Sequence, residues 1–151
     1  MAKARIIYRE LATSDKWNNL YQYSLGELAQ LIYLCYYPFS DDWGHLEYNT
    51  RLIKNLSMPE SKHPFEETEK AIALLLDVGL WEYKYEINNK EYVYIYNFEE
   101  LQRDGIRHRR RGDFPDETGE KPSRRGDIDI VQSLLESCEV RKNYKTKHNI
   151  T

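Results

Sequence analysis

Residues 66–98 constrain the fold most. A broad apolar helical pattern runs without a linker into two short tyrosine-rich segments separated by Asn88-Asn89-Lys90. The spacing of Thr68, Ala71, Ile72, Leu74, Leu75 and Leu76 predicts a helix over 66–78 with a wide buried face. Gly79 is placed to end it in the left-handed conformation. From 80–87 and 91–96 the period switches to two, with Trp81, Tyr83, Tyr85 and Ile87 on one face and Tyr92, Tyr94 and Tyr96 on one face of the partner strand. Aromatic and β-branched residues favour strands, and Asn-Asn-Lys suits a tight turn needing left-handed φ. A helix and a hairpin this short need further helices to bury both faces.

The upstream sequence supplies them. Ser24 and Glu27 have the spacing of a capping box ahead of Leu28, Leu31, Ile32 and Cys35, predicting a helix that Pro38 closes near Tyr37. Residues 5–23, with Trp17, Leu20 and Tyr21, read as an N-terminal arm with a short helical turn packed on the core. Ser40-Asp41-Asp42-Trp43-Gly44 is turn chemistry, and 45–47 is long enough for a short strand. Asn49 can cap a second helix to about Leu56, with Leu52, Ile53 and Leu56 inward and Arg51, Lys54 and Asn55 outward. Residues 59–64 form a polar, proline-punctuated loop.

The resulting order, helix, strand, helix, helix, hairpin, is the outline of an α+β fold of winged helix-turn-helix type, a three-helix core with a β-hairpin wing. Residues 1–98 form this domain with its N-terminal arm, and 99–126 form a basic flexible linker of a composition that builds no core. Residues 127–151 form a short amphipathic helix and a basic tail. In that helix Ile128, Val131, Leu134, Leu135 and Cys138 share a side, and twelve residues need a docking surface to stay helical.

Charge divides the chain more sharply than hydropathy. Residues 1–97 hold ten Lys and Arg against fourteen Asp and Glu, a net of −4, whereas residues 103–111 hold five Arg against one Asp, a net of +4. A nucleic-acid partner would meet most of its electrostatic contact in that arm. At 151 residues there is room for one domain and an appendage, and thirteen tyrosines make the expected core aromatic-rich. Cys35 and Cys138 belong to no paired motif and read as free thiols in a reducing cytoplasm. The N-terminal residues lack a signal peptide's apolar run, no segment approaches a membrane span, and a soluble intracellular protein is expected.

The chain resembles a known family, the N-terminal domain of phage replisome organisers and replication initiators, related to the primosomal DnaD-type winged helices of low-GC Gram-positive bacteria. The resemblance covers roughly residues 15–115 and rests on four stretches. These are Asp41-Asp42-Trp43-Gly44-His45-Leu46, Leu75-Leu76-Asp77-Val78-Gly79-Leu80, Tyr96-Asn97-Phe98-Glu99-Glu100-Leu101-Gln102, and the basic arm ending Gly112-Asp113-Phe114-Pro115. Leu101 stands where the family commonly has His, and Gly112 where it commonly has Ser. The resemblance implies a DNA-binding role in replication initiation in the cytoplasm of a host bacterial cell. Family members commonly carry a larger C-terminal region that engages helicase loading; about 35 residues follow Pro115 here.

Candidate sites sort by chemistry. The expected recognition helix presents Glu66, Lys70, Ala73 and Asp77 to solvent, flanked by Glu67 and Glu69. Base reading needs donors and phosphates repel carboxylates, so this face reads as a solvated acidic surface or a protein-docking one. Ile128, Val131 and Leu135 are the matching protein-interaction candidates in the C-terminal helix. Arg51, Lys54 and Asn55 of the second helix, with Lys84 and Lys90 of the wing, can contact phosphates or merely solvate the surface. The stronger DNA-binding candidates are Arg103, Arg107, Arg109, Arg110 and Arg111, whose alternatives are a tether or an arm that pairs with an acidic protein face.

Catalysis is not expected. His45, His63, His108 and His148 show no metal spacing, Asp41-Asp42 suits a turn better than acid/base work, and no phosphate-cradling glycine loop is present, so neither metal nor cofactor is expected. The leading expectation is a DNA-binding winged helix of phage replication, taking duplex DNA with little sequence preference. The alternatives are a self-associating or host-factor-binding interaction module and a transcriptional regulator of the same fold.

Overall fold

The computed structural model describes residues 5, 7–98, 112–116 and 119–121. It is an α+β arrangement of four α-helices and a three-stranded antiparallel sheet, compatible with a winged-helix outline. The N-terminal arm is more regular than one helical turn: a 3-10 turn at Arg9–Thr13, α1 (Asp15–Asn19) and a second 3-10 turn at Leu20–Gln22. Trp17 and Leu20 from this stretch enter the core.

Helix α2 (Gly26–Tyr36) starts later than the capping-box reading, with Leu25 at the N-cap and no side-chain capping bond. Gly26 explains the shift. A Cβ there would lie 1.7 Å from the Leu20 carbonyl oxygen, so the helix begins where backbone presses on backbone. Leu28, Ala29, Ile32, Tyr33 and Tyr36 form its buried face, while Leu31 and Leu34 stay exposed. A 3-10 turn at Tyr37–Phe39 carries Pro38 and ends the helix where sequence placed the stop.

Strand β1 (His45–Glu47) follows the 40–44 turn, and Asn49 then caps α3 (Thr50–Ser57) by accepting from Leu52 N at 3.0 Å. Ile53 is fully buried, but Leu56, expected inward, is 40% exposed. The helix rests on its neighbours through Ile53, with Met58 at its C-cap also buried and Leu52 half-buried. Helix α4 (Phe65–Asp77) buries Thr68, Ala71, Ile72 and Leu75 and ends at Gly79, φ +85°. Its glutamates at 66 and 67 lie in the first turn, where the helix dipole favours them.

Strands β2 (Trp81–Ile87) and β3 (Lys90–Ile95) form the hairpin, and β1 pairs with the far side of β3, giving the order β1-β3-β2. The turn is two residues, not three: Ile87 pairs with Lys90 across Asn88 and Asn89, at φ +54° and +65°. The simple alternation of β2 is interrupted. Trp81 pairs with Ile95 and Glu82 with Tyr94, but Tyr85 pairs with Tyr92, so one extra residue is inserted between Glu82 and Tyr85. Directly opposed residues share a face, which puts Trp81 on the core side with Ile95 and Tyr85 on the outer side with Tyr92. The expected single face of Trp81, Tyr83, Tyr85 and Ile87 is therefore corrected: a β-bulge at Tyr83, φ +59°, turns the strand over.

The core is built from Leu20, Ile32, Tyr33, Tyr36, Tyr37, Leu46, Ile53, Ile72, Leu75, Trp81, Val93 and Ile95. Tyr36 donates to the Glu47 carbonyl at 2.8 Å. Among the described residues, Trp81 Nε1 is the one buried side-chain polar atom without a hydrogen-bond partner; the Tyr36 and Tyr48 rings pack edge-on about the indole at 6.1 and 6.3 Å. No helix among the described residues is long and apolar enough to cross a membrane.

Candidate nucleic-acid interface

Two of the four described cations named from sequence as DNA contacts meet in one groove between the hairpin and the start of α3. It is lined by Tyr48, Asn49, Thr50 and Arg51, by Lys84 and Glu91 of the hairpin, and by Phe65 and Glu69 of α4. Asn49 is held there by its capping bond, and Thr50 and Arg51 of the first turn of α3 line the groove beside it. Lys84 is fastened rather than free: its Nζ lies 2.8 Å from Glu91 Oε2 and 4.5 Å from the centre of the Tyr48 ring. The hydrogen bond to Glu91 is the chief reason that the Lys84 ammonium is held above its ordinary pKa.

The groove thus carries two cations and two carboxylates. Phosphate would have to share Lys84 with Glu91, leaving exposed Arg51 as its readiest contact. Lys54, Asn55 and Lys90 do not line this groove; Lys54 Nζ donates to the Pro59 carbonyl at 3.2 Å, and Asn55 and Lys90 are exposed.

Helix α4 keeps its acidic surface outward, with Glu66, Glu69, Lys70 and Asp77 exposed and Ala73 half-buried. Lys70, Ala73 and Asp77 line a second, open groove with Tyr23, Leu25 and Leu74, whereas Glu66 is not part of it. Arg103, Arg107, Arg109, Arg110 and Arg111, and Ile128, Val131 and Leu135, lie outside the described residues.

The segments flanking the arginine stretch both end at the 40–45 turn, a feature that sequence reasoning missed. Phe98 is fully buried, its ring stacked on Tyr37 at 6.2 Å and beneath the Arg5 guanidinium at 5.6 Å. It fills the space beside Gly44, φ +84°, where a Cβ would come within 2.6 Å of the ring. On the far flank Phe114 N donates to Asp41 Oδ2 at 3.4 Å, the Phe114 ring meets Tyr92 at 5.9 Å, and Tyr85 Oη donates to the Pro115 carbonyl at 2.8 Å. Residues 112–116, read from sequence as part of the linker, therefore pack on the outer face of the sheet.

The acidic pair organises that turn. Asp41 Oδ1 accepts from Trp43 N and His45 N, each at 2.9 Å, and its Oδ2 lies 3.4 Å from His45 Nδ1. Asp42 forms a buried ion pair with Arg5 at 2.9 Å, and the same guanidinium nitrogen donates to the Ser40 carbonyl at 2.7 Å. Nothing local in the sequence marks Arg5 for this role, since its partner stands 37 positions away. His63 Nδ1 lies 3.2 Å from Glu67 Oε2, and no group of three or more potential ligands gathers to hold a metal among the described residues.

No family model matches this chain, and neither a curated protein nor a solved structure was found that matches it.

Proposed function

We propose that this protein is a DNA-binding winged helix of the phage replication-initiation type, holding duplex DNA chiefly by its phosphates. The observation that supports this reading best is that Arg51, at the first turn of α3, and Lys84, on the hairpin, line one groove. A helix start and a wing that line one groove can contact one phosphate rail together. The acidic exposed face of α4 supports weak sequence preference, because carboxylates at base edges do not offset phosphate repulsion. The bulk of the affinity falls to Arg103, Arg107, Arg109, Arg110 and Arg111 by counterion release. The replication role rests on the resemblance of the 41–46, 75–80 and 96–115 stretches to replisome organisers; a transcriptional regulator would instead retain one short duplex by sequence.

The test is binding of a fluorescent 30-mer duplex at two salt concentrations. The intact chain is expected to bind with a steep salt dependence, each neutralised phosphate adding about 0.9 to the log-log slope. Replacing Arg107, Arg109, Arg110 and Arg111 with Ala should remove most of the affinity, and Arg51→Ala a smaller part. Duplex binding that is absent, or indifferent to salt, would sink the reading.

A protein-interaction module is the second reading, favoured by the groove that brings Lys70, Ala73 and Asp77 together with Tyr23, Leu25 and Leu74. Light scattering at tens of micromolar would show a second copy of the chain on that surface, and Ala73→Arg should then dissociate it.

A further inference from the structure

The outer face of the sheet carries a continuous row of rings that the groove described above does not use. Phe114 meets Tyr92 at 5.9 Å, Tyr92 meets Tyr85 at 5.7 Å, Tyr85 meets His45 at 6.4 Å, His45 meets Tyr94 at 5.7 Å, and Tyr94 meets Tyr83 at 6.0 Å. Phe114 and Pro115 cover one end. At the other end Tyr83 is 60% exposed, the most exposed large apolar residue of the described chain.

Tyr83 is also backbone-strained. It sits at φ +59° in the bulge of β2, a conformation that a bulky side chain adopts only at a cost. Among the described residues the aromatic ring it packs against is Tyr94, at 6.0 Å. Bulges re-aim side chains at functional edges. Here the effect is to hold one phenol ring out in solvent beside a second, half-buried one.

We propose that Tyr83 and Tyr94 form a stacking platform for single-stranded nucleic acid. The proposal rests on the nucleic-acid reading above and moves it to a second surface and a second form of the ligand. An exposed ring next to a half-buried one offers a π-face to any base without reading its identity. Glu82 shares this face, being paired directly with Tyr94, so the two phosphate rails of a duplex are disfavoured across it. A single strand can turn its bases inward and its phosphates away.

The experiment uses the full chain with two fluorescent probes, a 12-mer oligo(dT) and a 30-mer duplex. Tyr83→Ala is expected to weaken oligo(dT) binding roughly 5- to 150-fold, the range that one stacked base contributes, and to leave duplex binding unchanged. Tyr83→Phe, which keeps the ring, should restore oligo(dT) affinity. Oligo(dT) affinity that stays within two-fold in Tyr83→Ala, or a loss that falls equally on both probes, overturns the platform while leaving duplex binding to stand. Failure of the wild-type chain to bind either probe overturns both readings. Binding of a proline-rich peptide to the Tyr83 face in place of oligo(dT) overturns the platform in favour of a protein partner.

Discussion

Asp41→Ala removes one acceptor from a turn that both flanks of the basic stretch rest on. The carboxylate is 1% exposed, and its Oδ1 takes the amides of Trp43 and His45 at 2.9 Å. Hydrogen bonds to a charged acceptor are worth about 1.5–3 kcal/mol each. The His45 amide is buried and would be left without a partner, while the half-buried Trp43 amide can turn to water. The bond from Phe114 N, at 3.4 Å, is too long to add much. Loss of the desolvation cost of a buried carboxylate offsets part of the total. The net expectation is a loss of about 3 kcal/mol, which for a folded unit of this size lowers Tm by roughly 12–24 °C. Asp41→Asn keeps an oxygen for both amides and should cost about 1 kcal/mol. Urea and thermal denaturation followed by circular dichroism measure both variants. A loss under about 1 kcal/mol for Asp41→Ala, or equal damage from Asp41→Asn, would refute the turn-acceptor account, the second by showing that charge rather than geometry matters.

Three further outcomes follow from particular contacts. Gly26→Ala drives a Cβ into the Leu20 carbonyl oxygen, which is backbone and cannot swing away, so a destabilisation of about 3 kcal/mol or more is expected in urea unfolding; a variant as stable as wild type would contradict the close approach. Tyr83→Gly relieves a left-handed residue, a gain of about 1–2 kcal/mol that offsets the lost Tyr94 contact and the entropy of a strand glycine. Its stability should stay within about 1 kcal/mol of wild type, and a much larger loss would mean that the ring holds the sheet together. Burial pushes the phenols of Tyr33 and Tyr36 well above the ordinary tyrosine pKa of 10.0. Their unfolded counterparts ionise near 10.0, so this contribution to stability is complete below that pH and lost as pH rises towards the folded values. In an alkaline titration watched at 295 nm, these tyrosines should ionise only as the circular dichroism collapses; complete ionisation with the native spectrum intact would refute it.

Several elements of this protein were legible in the sequence because their causes act within a few residues. Asn49 caps α3 through an amide three positions on, Gly79 ends α4, Pro38 stops α2, and Asn88-Asn89 turns the hairpin. The acidic face of α4 was equally plain, since helical spacing alone decides which of its side chains share a side. Tertiary structure decided the rest. Whether Lys84 and Arg51 share a groove depends on how the hairpin leans on α3, and the bulge at Tyr83 is invisible to a period-two reading. The core demands Trp81 opposite Ile95, the outer row demands Tyr85 opposite Tyr92, and only an inserted residue satisfies both. The Arg5 pair with Asp42 and the seat of Phe114 on Asp41 join positions 37 and 73 apart. Local rules carry no information on such pairs, because what brings them together is the burial of a common core rather than the conformational preference of either segment.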